Sequence, residues 1–213
     1  MQYLIFHQTQ NTLFYLFQDL AFVPIQVSMV TIILNRFLNV IETRKKVKKT
    51  NVIISTFFVE AGTSIMAVMS EFNHNDNELY GIIKKEELNN KKAYLLKKRV
   101  KEFQYDIYID TDKLEKLTSI LNKYRDFTLN MLGNDNLLEH DSFTDMLWAV
   151  FHVADELQFR SDFNTLEPSD IEHLCNDIFR AYSAITLEWI NYMSYLHEEY
   201  PFLYTIAIKK AKI

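Results

Sequence analysis

Residues 12–34, TLFYLFQDLAFVPIQVSMVTIIL, limit the fold of this chain more than any other stretch. The run is mostly apolar, and as a helix its 23 residues span about 34 Å, enough to cross a hydrocarbon core of about 30 Å. A basic run follows at once: Arg44, Lys45, Lys46, Lys48 and Lys49. An apolar span closed on one side by cations reads as a transmembrane helix with its cytoplasmic collar, together residues 12–49. The positive-inside rule then puts residues 1–11 outside the cell membrane as a short N-terminus and residues 50–213 in the cytoplasm, a single-pass arrangement. Residues 1–11 contain no Lys or Arg, so the positive n-region of a secretory signal is missing.

Three polar groups inside the span also suit the alternative, a long buried helix of a soluble protein: Gln18, Asp19 and Gln26. Asp19 and Gln26, seven residues apart, fall on one helix face and could form a polar seam between anchors in an oligomer. Asp19 could equally lie at the outer interface and be hydrated. Pro24, between them, frees a backbone carbonyl and can kink the helix.

A second apolar stretch, residues 52–69, reads differently. Thr56, Glu60, Thr63, Ala67 and Glu71 recur at helical spacing and make a narrow polar stripe beside a wide apolar face. A second crossing would also export the basic stretch 84–101. Residues 52–69 are therefore expected to be a core helix of the cytoplasmic domain.

Three glycines and three prolines in 213 residues leave little turn chemistry for a many-stranded β fold. The expected class is all-α: one N-terminal transmembrane helix followed by a bundle of about four to five helices. Charge is graded along the chain. Residues 1–50 hold six basic and two acidic groups, 51–132 twelve of each, and 133–213 five basic against fourteen acidic. A cytoplasmic domain hanging from an anionic leaflet suits that gradient. The one cysteine, Cys175, excludes an internal disulfide.

Residues 72–78 read as a loop. Residues 84–101 carry eight basic groups against Glu86 and Glu87; with the collar, Lys84 and Lys85 are candidates to face anionic lipid, although a solvated helix face is the commoner meaning of such a run. Aromatic residues that could stack on bases are scarce there, so no nucleic-acid partner is expected. Residues 105–110, YDIYID, alternate and suit a short extended piece. Asp112 with Glu115 marks a helix start and Gly133 a stop, and another helix begins near Asp141 or Ser142. Pro168 opens the last long helix. Its seam of Ile171, Cys175, Ile178, Tyr182, Ile185, Trp189, Tyr192 and Leu196 steps by four and three, the spacing of long antiparallel packing or of a coiled-coil interface between copies.

No glycine-rich phosphate loop, CxxC, HExxH or GxSxG is present. Cys175 falls on the apolar seam, where it suits a small core residue better than a nucleophile. One constellation has metal-ligand spacing: His152, Asp155 and Glu156 on one helix face, with Asp145 two turns back, and Asp170, His173 and Asp177 on another. Di-iron bundles use such carboxylate–histidine pairs, but the order here is reversed on one helix, and only Glu60 and Glu188 could add the missing glutamates. These residues flank the seams and are expected to face water.

The stretches NLLEHDSFTDMLWAVFHVADEL, SDIEHLCNDIFRAYS and YPFLYTIAIKK, with the anchor FQDLAFVPIQVSMVTIILNRFL and NVIISTFFVEAGT, resemble a family of uncharacterised prokaryotic single-pass membrane proteins with a helical cytoplasmic part. The resemblance runs along most of the chain and implies the anchor; it implies no activity. The leading expectation is a non-enzymatic, membrane-anchored interaction or scaffold protein with no cofactor. Its partners would be the lipid bilayer, a second copy and an unidentified protein. The alternatives are a metal-binding helical enzyme and a membrane regulator that responds to lipid charge.

Overall fold

The computed structural model describes residues 9–84, 88, 90–138, 140–160 and 162–210. Lys85, expected among the lipid-facing cations, lies outside them. The chain forms two compact units, Met1–Lys48 and Lys49–Ile213.

The described part of the first unit is helix. Helix α1, Thr9–Phe57, runs through it without interruption and carries Pro24 inside. Every described side chain from Leu13 to Val40 is exposed, Asp19 and Gln26 included. Thr31 returns its hydroxyl to the Val27 carbonyl at 2.7 Å, a bond internal to the helix that needs no solvent. The collar residues Arg44, Lys45, Lys46, Lys48 and Lys49 are exposed as well.

Thr50 is buried and donates to the Asn136 carbonyl at 3.1 Å. Past the end of α1, a π-helical turn, Phe58–Gly62, leads into α2, Thr63–Ser70. Phe57, Phe58, Ala61, Ile65 and Met69 are fully buried, whereas Thr56, Glu60 and Ala67 are exposed. The polar stripe and apolar face expected for residues 52–69 are both present. The extra residue of the π turn sets Phe57 and Phe58 edge to face, 5.2 Å between ring centroids, with Phe57 on Phe143 and Phe58 stacked on Tyr192. A Cβ on Gly62 would come within 2.5 Å of the Phe57 ring and 2.8 Å of Phe58.

The remaining helices are α3 (Asp76–Lys84), α4 (Asn90–Lys101), α5 (Thr111–Lys123), α6 (Arg125–Leu132), α7 (Asp135–Leu138), α8 (Asp141–Phe159), α9 (Pro168–Glu199) and α10 (Pro201–Lys210). The all-α class stands, with a single antiparallel bridge, Asn73 to Ile107, among the described residues. That bridge pairs the extended piece expected at 105–110 with the turn that ends α2. His74 donates to Asp106 and Tyr108 to Phe72 across it.

The domain holds more and shorter helices than the expected four to five. Asp110, not Asp112, caps α5 by accepting from the Lys113 amide at 3.3 Å. The helix expected to run on to Gly133 breaks at Tyr124, where no glycine or proline stands. Packing sets that break: α5 lies on α2 and α8, and α6 on α8. His140 caps α8 through its ring, its Nδ1 accepting from the Phe143 amide.

Helix α9 is the centre of the domain. It packs against α8, α4, α2 and α10, and Ile178, Tyr182, Ile185, Trp189 and Leu196 of the expected seam are buried inside this one chain. From Ile178 onward the seam is therefore buried by packing within the chain. Its first two positions depart from the expectation: Ile171 is exposed and Cys175 half-buried, with Leu174 taking the core position. Burial is not confined to one stripe, since Asp177, Thr186, Glu188 and Ser194 are buried too.

At the middle of α9 the Tyr182 hydroxyl donates to the Asp76 carboxylate. Burial raises the Asp76 carboxyl above its ordinary value of 3.8, partly offset by Tyr182, Asn73 and Ser70. A carboxyl raised in the fold supports stability below its unfolded value, and that support is lost as pH rises through the folded value. Tyr182→Phe removes a donor to a half-buried charge and should cost about 1.5–3 kcal/mol at pH 7 in denaturant titrations. Asp76→Asn should flatten the pH dependence of stability above pH 4. Gly62→Ala should destabilise the domain by about 1–3 kcal/mol, because both crowded rings are fully buried; an unchanged unfolding midpoint would count against the π-turn packing.

Candidate functional site

Helices α8 and α9 lie side by side, and each carries a histidine four residues before an acid: His152 with Glu156, and His173 with Asp177. Four residues is slightly more than one helical turn, so each pair projects from one face. The two faces meet. His152 Nε2 lies 3.3 Å and His173 Nε2 3.2 Å from the same oxygen, Asp177 Oδ2. Glu156 Oε1 is 3.7 Å from His173 Nε2. The imidazoles are nearly perpendicular, their centroids 6.3 Å apart.

The other oxygen of each acid is held by an arginine. Arg160 bonds Glu156 Oε2, and Arg180 Nη1 lies 3.5 Å from Asp177 Oδ1. Arg160 reaches Asp170 Oδ1 with its second nitrogen at 3.3 Å. The hydrogen bond from Arg160 is the main cause holding the Glu156 carboxyl below its ordinary range. Neither arginine was singled out from the sequence, although Arg160 stands four residues after Glu156 and Arg180 three after Asp177.

The six residues of the expected constellation thus separate. His152, Glu156, His173 and Asp177 converge. Asp170 serves Arg160, and Asp155 pairs with Arg125 at 3.3 Å. The expectation that all of them face water fails for Asp177, which is 4 % exposed, because α9 is covered on this side by α8. The histidines are half exposed, at 48 % and 51 %. Asp145 and His152 line an open cleft of about 630 Å³ beside them, with Trp148 and Arg180.

The residues do not fit a dinuclear centre. Glu188 stands eleven residues beyond Asp177, about 16 Å along the helix, and accepts from Asn191 Nδ2 at 3.2 Å. Asn191 in turn accepts from Lys97 Nζ at 2.7 Å. Glu60 is exposed on the π turn. Cys175 donates to the Ile107 carbonyl, and burial pushes its thiol up, the wrong direction for a nucleophile. In the basic stretch, Lys84 is exposed, Lys97 is engaged with Asn191 and Lys98 faces Glu102 at 3.9 Å.

Among the described residues, Leu13–Ser70 is the one helical run long and apolar enough to cross a membrane. Its latter part is core of the second unit. Residues 13–40 are the part in which every described side chain is exposed.

Residues 46–209 match the family model described as the C-terminal helical domain of the uncharacterised protein MJ1433, and residues 1–38 match its N-terminal helical domain. The chain is 36 % identical over 211 residues to uncharacterised protein MJ1433 of Methanocaldococcus jannaschii, covering 98 % of this chain and 84 % of that protein. No solved structure matches.

Arg160→Gln should return the Glu156 carboxyl toward its ordinary value of 4.5, read by carboxyl NMR titration. A depressed carboxyl supports the fold above its unfolded value, and that support is lost as pH falls through the folded value. The variant should therefore lose less stability than the native chain as pH falls below about 4.5.

Proposed function

The chain belongs to the MJ1433 family of uncharacterised helical proteins, and we propose that it holds a helical domain at a membrane as a single-pass interaction protein. In this reading residues 12–34 cross the bilayer, the N-terminus lies outside, and residues 50–213 work in the cytoplasm as a non-enzymatic scaffold.

One observation carries the reading. Eighteen large apolar side chains between Leu13 and Val40 are 47–67 % exposed, on all sides of the helix. Covering that surface is worth on the order of 20 kcal/mol, more than the whole stability of a typical domain, about 5–15 kcal/mol. Such a surface does not stay in water. A helix apolar all round suits lipid, which solvates every face equally, and the span matches the hydrocarbon thickness. The exposed collar supplies cations for the anionic leaflet that borders the cytoplasm. Asp19 is the eighth residue of the span, about 10 Å in from its outer end, in the half nearer the outer headgroups.

Expressed in its host, the full chain should remain in the membrane pellet after alkaline carbonate extraction. Release into the supernatant as a stable soluble oligomer would show that copies of the chain, not lipid, cover the segment. With Cys175 replaced by serine, a cysteine at Asn11 should react with an impermeant maleimide in intact cells, and one at Lys49 only after permeabilisation. The reverse pattern would sink the orientation. Val23→Arg, at mid-span, should cost about 2.5–3.5 kcal/mol of insertion and raise the uninserted fraction.

A further inference from the structure

We propose that His152, Glu156, His173 and Asp177 bind one divalent first-row transition-metal ion, with zinc the ion that their chemistry fits best. The proposal is independent of the membrane reading, since all four residues belong to α8 and α9.

The spacing of the donor atoms is that of a metal ligand set. Four donors about 2.0–2.1 Å from a tetrahedral ion lie about 3.3 Å from one another. Three of the six donor pairs measure 3.2, 3.3 and 3.7 Å; single ligand atoms of His152, Glu156 and His173 all lie within 4.8 Å of one another, and Asp177 Oδ2 joins that set through the two imidazoles. Two imidazoles and two carboxylates are a donor set that suits zinc.

The oxygens of the two acids are divided in the way a metal site requires. Glu156 Oε2 and Asp177 Oδ1 go to Arg160 and Arg180, leaving Oε1 and Oδ2 facing the imidazoles. Outer hydrogen bonds that fix the metal-binding side chains are the usual support of such a site, and Asp170 holds Arg160 in place from behind.

The independent observation is Asp177 Oδ2. Its side chain is 4 % exposed, the oxygen is buried, and it accepts no hydrogen bond although two imidazole nitrogens lie within 3.3 Å. A buried carboxylate oxygen left without a donor is costly. Nitrogen atoms that are close but do not donate are what a ligand sphere looks like, because lone pairs converge on the ion and not on each other. The half-exposed histidines leave an entry path from the cleft beside His152.

The test uses the full chain without an affinity tag, in detergent and stripped of metal by a chelator. Zinc should bind at one ion per chain in the micromolar range or tighter, and cobalt should give the intense visible bands of a four-coordinate site. The double substitution His152→Gln with His173→Gln should weaken zinc binding by more than the roughly 10–100-fold typical of losing a supporting residue alone. Asp155→Asn should leave binding unchanged, because Asp155 faces Arg125. Zinc should raise the thermal midpoint of the native and Asp155→Asn chains and not that of the double variant. If the double variant folds poorly, the native chain decides: zinc must shift the Nε2 resonances of His152 and His173 and leave those of His74, His140 and His197 in place. Millimolar binding, or equal binding by a folded double variant, overturns the proposal and leaves the four residues as ion pairs.

Discussion

The domain depends on one helix being enclosed on most of its surface. Helix α9 is 32 residues long, and α2, α4, α8 and α10 pack around it. An ordinary amphipathic helix buries a stripe and leaves its polar residues in water. Here enclosure reaches past the stripe, so Asp177, Thr186, Glu188 and Ser194 are carried inside along with Ile178, Ile185 and Trp189. Each buried polar group must then find a partner or bear the full desolvation penalty. Thr186 satisfies itself with the Tyr182 carbonyl at 2.7 Å, and Glu188 accepts from Asn191. Asp177 is the group whose demand is left partly open.

That open demand links packing to chemistry. The same covering by α8 that buries Asp177 also brings His152 and Glu156 against His173. The Tyr182–Asp76 bond, one and a half turns further along α9, shows the alternative outcome. There a tyrosine hydroxyl meets a half-buried carboxylate, and burial raises the proton affinity of both partners. One acid is answered by a neutral donor from the core, while the other faces two nitrogens that do not donate to it.

The N-terminal segment follows a different logic from the domain. Residues 13–40 have no core of their own, and their apolar side chains point in every direction. No arrangement of a single helix can hide a surface that surrounds it. The apolar run at 52–69 is equally greasy in composition but interrupted by Thr56, Glu60 and Thr63 on one side, and that interruption lets it bury one face and keep the other wet.

Much of this was legible in sequence. Period and composition specify an all-α chain, the polar stripe of residues 52–69, the proline start of α9 and the apolar run at 12–34, because these follow from local spacing and from the near absence of glycine and proline. The metal-type spacing of His152, Glu156, His173 and Asp177 was visible too, since i to i+4 places side chains on one face wherever the helix lies. Sequence could not say that Asp155 and Asp170 turn to arginines, or that the seam is buried within the chain only from Ile178 onward. Nor could it place the break at Tyr124. Those outcomes depend on which helices are neighbours, and neighbours are chosen by the packing of the whole domain. Local spacing determined which residues share a face; only the tertiary structure decided that Asp177 would be covered, and so which acids meet the histidines.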